Sequence, residues 1–352
     1  MNYKFLRVST AAIMALTLIT SGCGKTADQK ASGENQTTSV QTTPVPTEKP
    51  KFTPTKPISI VMASAPGGST DMLARSIEKV WGKYCPQSIQ IIAKGGGGGL
   101  EGATFVARAK PDGYTLELGY GSGHDIVMPN LQKMEYDSFR DLIPVSRFSI
   151  HSTVVLVLAD SPFKSISDVI NWAKKENKPV TCSVSLAASP NDIVARGIGK
   201  IAGINMTTVP HSGGGPSMTT FLGGNTMLVT TTPCEVLSQL KSGKVRPIAI
   251  ATPERDPVLK DVPTLIEQGV NMHAWGTVKG FALPAGTPRE IVDYYADLSK
   301  KITEDAEFKK IMDEIGQPIQ YLGPEDFAKF VRQAQSDYGK LIKDLGIASE
   351  TK

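Results

Sequence analysis

Short apolar runs alternate along this chain with amphipathic stretches of helical period, joined by glycine- and serine-rich loops, and that alternation confines it to an α/β architecture. Residues 57–63 read as a strand, and residues 70–81 carry Met72, Leu73, Ile77 and Val80 at helical spacing. Strand patterns recur at 88–93 and 114–118, with an Ala-rich helical stretch at 100–109 between them. Pro111-Asp112-Gly113 supplies the turn into the third strand: Pro fixes φ, Asp caps, and Gly takes the left-handed position. A second series begins with the apolar run 154–158 and a helix at 165–175 capped by Ser165 or Ser167. Strands at 180–184, 206–209, 227–231 and 245–251 then alternate with helices at 190–202 and 216–222, which predicts a largely parallel sheet. Another apolar crossing at 279–283 leads into helices at 288–302, 306–315 and 324–345, expected to pack back on the first series.

Two lobes follow from this pattern, and at 352 residues the chain is long enough for both. Residues 57–156 plus 280–352 are assigned to lobe one and 157–279 to lobe two, so the chain crosses near 154–158 and again near 279–283. A two-segment hinge of that kind permits closure around a ligand.

Ahead of the lobes, residues 1–23 have the character of an export signal. Lys4 and Arg7 precede an apolar stretch, 8–19, that is too short to span a bilayer. Thr20-Ser21-Gly22-Cys23 resembles a bacterial lipobox, which implies lipidation of Cys23. Residues 24–56 are Thr, Ser, Gln, Lys and Pro with almost no large apolar side chain, and are expected to form a disordered tether holding the body near a membrane.

Several chemistries are excluded. The formal charge of +4 comes with no basic run or basic-aromatic alternation, so nucleic acid is not an expected partner. Cys85, Cys182 and Cys234 are scattered without Cys-x-x-Cys spacing, and three buried or half-buried thiols are expected in place of a disulfide framework. His124, His151, His211 and His273 form no His-x-x-x-His pair, so no metal is expected. Gly97, Gly99 and Gly102 formally satisfy G-x-G-x-x-G, with Glu117 further on. Five successive glycines match most glycine patterns, however, and this is the second β-α unit, so no nucleotide cofactor is assigned. Gly121-Ser122-Gly123 lacks the upstream glycine of a nucleophile elbow, and the chain is not read as an enzyme.

Four strand-to-helix loops remain. In the first, Pro66-Gly67-Gly68-Ser69-Thr70-Asp71, glycines let backbone N–H groups converge at a helix start that favours an anion. Ser183 to Ser189 before Pro190 combines hydroxyls with a Ser-Pro helix start. His211 to Pro216 and Tyr120 to His124, the latter with Ser122, have the same character. Each alone is more often a turn than a site; together at strand ends they suggest a ligand crevice.

Pro66-Gly67-Gly68-Ser69-Thr70-Asp71 with Ala74-Arg75, the glycine run, Pro111 to Leu116 and Asp141 to Val145 together resemble the TctC-type, or Bug, family. Val209-Pro210 with Gly213 to Pro216, Leu222-Gly223-Gly224, Gly243 to Arg246, Asp261 to Thr264 and Pro284 to Pro288 extend the resemblance over nearly all of 57–346. It implies a type II periplasmic-binding fold, the Venus-flytrap arrangement, in an extracytoplasmic receptor of a tripartite tricarboxylate transporter. The implied ligand is a di- or tricarboxylate, amino acid or aromatic acid, and the implied membrane partners are TctA-like and TctB-like. The receptor is expected as a monomer, lipid-anchored on the outer face of the cell membrane; service to a sensor kinase is the alternative. By position the resemblance implies that Gly67, Gly68, Ser69, Thr70 and Asp71 in lobe one, with Ser183, Ser185, Ala187 and Ser189 in lobe two, hold a carboxylate. Ser122, His211 and Gly213 join this set from the other two loops. Ser64 stands where the family has an aromatic, Ala93-Lys94-Gly95 replace its Asn-Arg-Pro, and His211-Ser212 replace its His or Tyr-Lys, so the ligand is not named.

Overall fold

The computed structural model describes residues 52–347, so the export signal, Cys23 and the tether up to residue 51 lie outside the described residues. In chain order the elements begin β1 (Ile58–Met62), α1 (Ser69–Trp81), β2 (Ile89–Ala93), α2 (Leu100–Ala107), β3 (Thr115–Tyr120), α3 (Gly123–Ile126) and β4 (Leu142–His151). They continue with β5 (Val154–Leu158), α4 (Ile166–Glu176), β6 (Val180–Val184), α5 (Pro190–Ala202), β7 (Met206–Pro210), α6 (Gly214–Leu222), β8 (Leu228–Thr231), α7 (Leu237–Lys241) and β9 (Val245–Ile250). The last are β10 (Thr277–Pro284), α8 (Arg289–Glu304), α9 (Ala306–Glu314), β11 (Ile319–Leu322) and α10 (Pro324–Asp344). Among the described residues, no helix is long and apolar enough to cross a membrane.

Two sheets result. The first has the order β11-β4-β10-β3-β1-β2 and the second β7-β6-β8-β5-β9. Strands β1, β2 and β3 run parallel, as do β6, β7 and β8, as expected for strands returned by helices. In the second sheet β6, β7, β8 and β9 all point the same way, as the alternation predicts, and only β5 opposes them; in the first, β10 runs antiparallel to β3 and β4. These are the strands next to the passages between sheets, where the chain returns without a helical crossover.

Side chains alternate across each sheet. Ile58, Ile60 and Met62 face one core with Phe148, Phe281 and Tyr295, while Val61 faces the other. Helix α8 lays Ile291, Tyr295, Leu298 and Ile302 into the first core, and α10 lays Phe327, Val331, Ala334 and Tyr338 into the second. Both pack on β4, so the C-terminal helices clasp the first sheet from its two faces. Each fully buried Phe or Leu of these cores contributes about 1.5–3 kcal/mol.

Strand β5 lies wholly in the second sheet and β10 wholly in the first. The chain therefore passes between sheets at Ser152-Thr153 and along residues 251–276, not within 154–158 and 279–283. The two passages are tied side by side, because Ala251 N donates to Thr153 O at 2.9 Å and Ala274 N to Ala251 O at 3.0 Å.

The last residues expected in the tether are anchored. Phe52 packs edge-on against Tyr114 and Tyr294, with ring centroids 6.0 and 5.3 Å away, and Thr55 N donates to the Tyr114 hydroxyl at 3.0 Å. One aromatic in a polar segment is enough when a cluster of tyrosines receives it. Cys85, Cys182 and Cys234 are free and buried, and burial pushes the thiols of Cys182 and Cys234 up to about 12.

Candidate functional site

The glycine- and serine-rich loops leave the C-terminal ends of β1, β3, β6 and β7, and the structure brings all four together between the sheets. Gly68, Ser69, Thr70 and Ser122 line one side of a shared cavity, and Ser185, Ser189 and Gly213 the other. The loops touch backbone to backbone: Ala65 N donates to Ser212 O at 2.7 Å. A Cβ on Gly215 would stand 2.9 Å from Pro66 O, and Gly67 holds φ +85, so both glycines are required for this approach. The space between the loops is about 40 Å³.

The other expected site residues do not line the cavity but shape its walls. Asp71 accepts from Gly67 N at 3.0 Å, and its other oxygen lies 3.4 Å from Arg75 Nε, so it folds its own loop. Ser183 donates to Ser217 O at 3.0 Å, and His211 Nε2 lies 2.8 Å from Thr220 Oγ1, which tie α6 to β6 and β7. Ala187 O would meet a Cβ on Gly98 at 2.9 Å, so Ala187 packs on the five-glycine run.

Helix α5 begins as its Ser-Pro sequence dictates. Ser189 Oγ accepts from Asp192 N at 3.2 Å, Pro190 takes the first helical position, and Asp192 accepts from Ala188 N at 2.9 Å. Beside it, Asn191 accepts from Thr153 Oγ1 at 2.8 Å and donates to Ser185 Oγ at 3.2 Å, linking the passage between sheets to the cavity wall. Helix α1 begins without a side-chain cap of its own. Its Ser69 N–H is taken instead by Glu235 Oε1 at 2.6 Å, a carboxylate supplied by the second lobe.

Two charged residues of the cavity lie outside the loops. Lys279, on β10, is 4% exposed and donates to Thr70 Oγ1 at 2.7 Å. Burial holds its ammonium below the usual lysine range, while Glu235 pulls the other way. Glu235, half-buried after β8, also accepts from Thr231 Oγ1 and, at 3.5 Å, from Thr232 N. Sequence signals for both exist: a lone Lys inside the apolar run of β10, and the Thr232-x-x-Glu235 capping pattern.

Behind the Tyr120–His124 loop, Glu117, His124 and Asp125 are buried together. Three of their donor atoms lie within 4.8 Å of one another, the one metal-compatible grouping among the described residues. It is built as a hydrogen-bond network: His124 Nε2 lies 2.7 Å from Glu117 Oε1 and 3.3 Å from Asp125 Oδ2. Burial opposes charge on His124, but the two carboxylates outweigh it and raise the imidazole to about 9, so a proton already fills the place between them.

A group whose value rises from about 6.5 to about 9 on folding stabilises the fold fully below 6.5 and loses that contribution as pH climbs through 9. One proton gives a slope of at most about 1.4 kcal/mol per pH unit. Lys279, held low, acts in the opposite sense, so the readout is the difference between wild type and His124→Gln. Urea midpoints from pH 6 to 10 are expected to fall more steeply for wild type; parallel curves would remove the shared-proton account.

The sequence from residue 73 to 347 matches the family model described as "Tripartite tricarboxylate transporter family receptor". The chain belongs to that family of solute receptors. A UPF0065 protein of Bordetella bronchiseptica is 28% identical to this receptor over 304 residues, covering 86% of this chain and 90% of that protein. An R. palustris protein solved with adipate superposes with a TM-score of 0.78 at 27% identity, covering 84% of this receptor and 99% of that chain. MatC from Rhodopseudomonas palustris, solved with bound malate, gives a TM-score of 0.75 at 26% identity over 82% of this receptor and 99% of that chain. Such neighbours, with the two sheets and paired crossings, make the fold that of the type II periplasmic-binding proteins.

Proposed function

We propose that this receptor captures a small organic acid outside the cytoplasm and presents it to the membrane subunits of a tripartite transporter, without chemical turnover. The observation that carries this reading is the convergence of α1 from one lobe and α5 from the other on one hydroxyl-lined cavity holding a buried ammonium, Lys279. Helix starts and an ammonium together favour a carboxylate. The related proteins solved with adipate and malate support the same ligand class. Gly68, Ser69, Thr70, Ser122, Ser185, Ser189 and Gly213 would contact the solute, with Gly67, Asp71, Ser183, Ala187 and His211 setting the shape of the walls.

The paired passages at 152–153 and 251–276 are the hinge on which the lobes would swing to admit an acid to this cavity of about 40 Å³. Lipid on Cys23 and the tether would keep the receptor at the membrane beside TctA-like and TctB-like partners.

Thermal-shift titration across a panel of organic acids tests the reading. A cognate acid at a hundredfold excess over its dissociation constant should add about 2.7 kcal/mol of stability. Thr70→Ala combined with Ser189→Ala should weaken binding at least about tenfold, since one hydroxyl orients Lys279 and the other caps α5. A panel in which no organic acid raises the melting temperature would remove the substrate class.

A further inference from the structure

Glu235 joins the two lobes through one carboxylate. Its Oε2 is held on its own lobe, accepting from the Thr231 hydroxyl and, at 3.5 Å, from Thr232 N, while Oε1 reaches across to the Ser69 amide at 2.6 Å. That bond is short and charge-assisted, and it falls on the first turn of α1, where the helix favours an anion and has no side-chain cap of its own. Glycines give the carboxylate its room: a Cβ on Gly214 would lie 2.6 Å from the Glu235 carboxyl carbon, and one on Gly68 3.1 Å from Oε1. Two cations stand in the same lining. Lys279 and Glu235 attract each other, which favours the charged lysine against its burial. His124 is charged as well, but Glu117 and Asp125 already answer it. Glu235 therefore offsets Lys279 and the α1 start, the same groups that would receive a carboxylate from solution.

We propose that Glu235 is a latch between the lobes: its carboxylate stands in for that of the solute on the α1 amide, holds the lobes together before solute arrives, and is displaced when an acid binds. The displacement rests on the organic-acid reading above; the latch itself does not. An acid that took the Ser69 amide while Glu235 stayed would set two anions against one N–H, a repulsion that burial strengthens. The two carboxylates are therefore alternatives. Release is local, because Oε2 keeps Thr231 and Thr232 as partners on its own lobe when Oε1 lets go. Only the unlatched fraction can receive solute, so the latch lowers apparent affinity by the factor with which it favours the joined lobes. A second bond between lobes, Ala65 N to Ser212 O at 2.7 Å, involves neither Ser69 nor Glu235 and reports separately whether the lobes are together.

Amide hydrogen exchange of the intact mature receptor, resolved at Ser69 and Ala65, tests the latch without any solute. Glu235→Ala should speed exchange at Ser69 and, by about tenfold or more, at Ala65, while β1 amides such as Ile60 exchange as in wild type. Glu235→Gln, which keeps an acceptor but no charge, should fall between the two. A rise confined to Ser69 would make Glu235 a helix cap and overturn the latch, as would no change at either amide. If Glu235→Ala fails to fold, as judged by circular dichroism, the Ala65 amide of Glu235→Gln decides. Calorimetry with malate and adipate reads the displacement. An acid that binds wild type should bind Glu235→Ala about tenfold or more tighter, and weaker binding to the variant would overturn the displacement. If neither protein binds any acid of the panel above, the organic-acid reading falls, and exchange alone judges the latch.

Discussion

Gly276→Ala is expected to deprive the receptor of its folded state at ordinary temperatures or to cost at least about 3 kcal/mol, the upper range of overpacking effects. Its Cβ would lie 1.2 Å from the carbonyl oxygen of His151 and 2.3 Å from the carbonyl carbon, well inside contact distance. The strands leave no slack. Thr277 is in register with His151, and Thr153, two residues on, accepts from Ala251 across the other passage. Moving either segment would break sheet bonds in one lobe or the tie between passages, and His151 is itself buried and neutral, held down to about 3 first by burial and then by Lys279. Gly82→Ala supplies the control: the site is open, its φ is −62, and no atom lies within 4 Å of the added carbon. That variant should be neutral or gain a few tenths of a kcal/mol. Soluble yield and urea midpoints measure the contrast; equal midpoints for the two variants would show that the crossing is looser than its geometry.

Much of the frame around that crossing is legible from local pattern. Helix α5 runs from Pro190 to Ala202 as its Ser-Pro start and Gly203 stop dictate, and Gly203 does adopt the left-handed cap, at φ +65. Of the two caps offered for α4, the structure uses Ser165, because Asp168 three residues on can answer it: Asp168 N donates to Ser165 Oγ at 3.1 Å and Ser165 N to Asp168 Oδ2 at 3.0 Å. Strand β4 gives no such signal. Pro144, Ser146, Arg147 and Ser149 interrupt its apolar alternation, and the burial of the last three becomes affordable only in the assembled sheet, where Arg147 Nε reaches Gln320 O at 2.9 Å and its guanidinium lies 4.7 Å from the Phe330 ring centroid. Strand β11 is a four-residue edge, too short for any period to show.

The site divides along a similar line. Loops whose chemistry is contiguous in sequence, such as Gly67 to Asp71 and Ser183 to Ser189, announce themselves, and the cavity gathers members of both. Residues that matter because of who faces them do not. Glu235 is 166 positions from the Ser69 amide it accepts, and Lys279 is 209 positions from the Thr70 hydroxyl it reaches. Spacing rules operate over a few turns of helix or one hairpin and are silent at such separations. A charged residue within an apolar strand is nevertheless a usable flag, since a lysine is almost never fully buried without a reason.

Asp125→Ala should be the most damaging single change away from the crossing, at about 3–5 kcal/mol, the range for breaking a buried ion pair from one side. Asp125 is fully buried and serves four donors at once. Its Oδ2 accepts from Gly121 N at 2.8 Å and lies 3.3 Å from His124 Nε2, and its Oδ1 accepts from Tyr136 Oη at 2.9 Å and Ser138 Oγ at 2.8 Å. Removing it strands the Ser138 hydroxyl and the Gly121 amide, leaves the Tyr136 hydroxyl only the His124 carbonyl at 3.4 Å, and leaves the charged imidazole to Glu117 alone, at the back of the loop that carries Ser122 into the cavity. Asp125→Asn separates charge from shape. An amide can keep its oxygen toward the Gly121 N–H and turn its NH₂ toward Tyr136 and Ser138, whose hydroxyls can accept as well as donate. The Asn variant should therefore lose clearly less stability than the Ala variant, while His124, with one carboxylate fewer, titrates below its value of about 9. Urea denaturation, with the imidazole followed by NMR across pH 6 to 10, reads both quantities. Equal losses for Asn and Ala, with His124 unmoved in the Asn variant, would mean that the carboxylate's charge contributes nothing and that packing alone holds the loop.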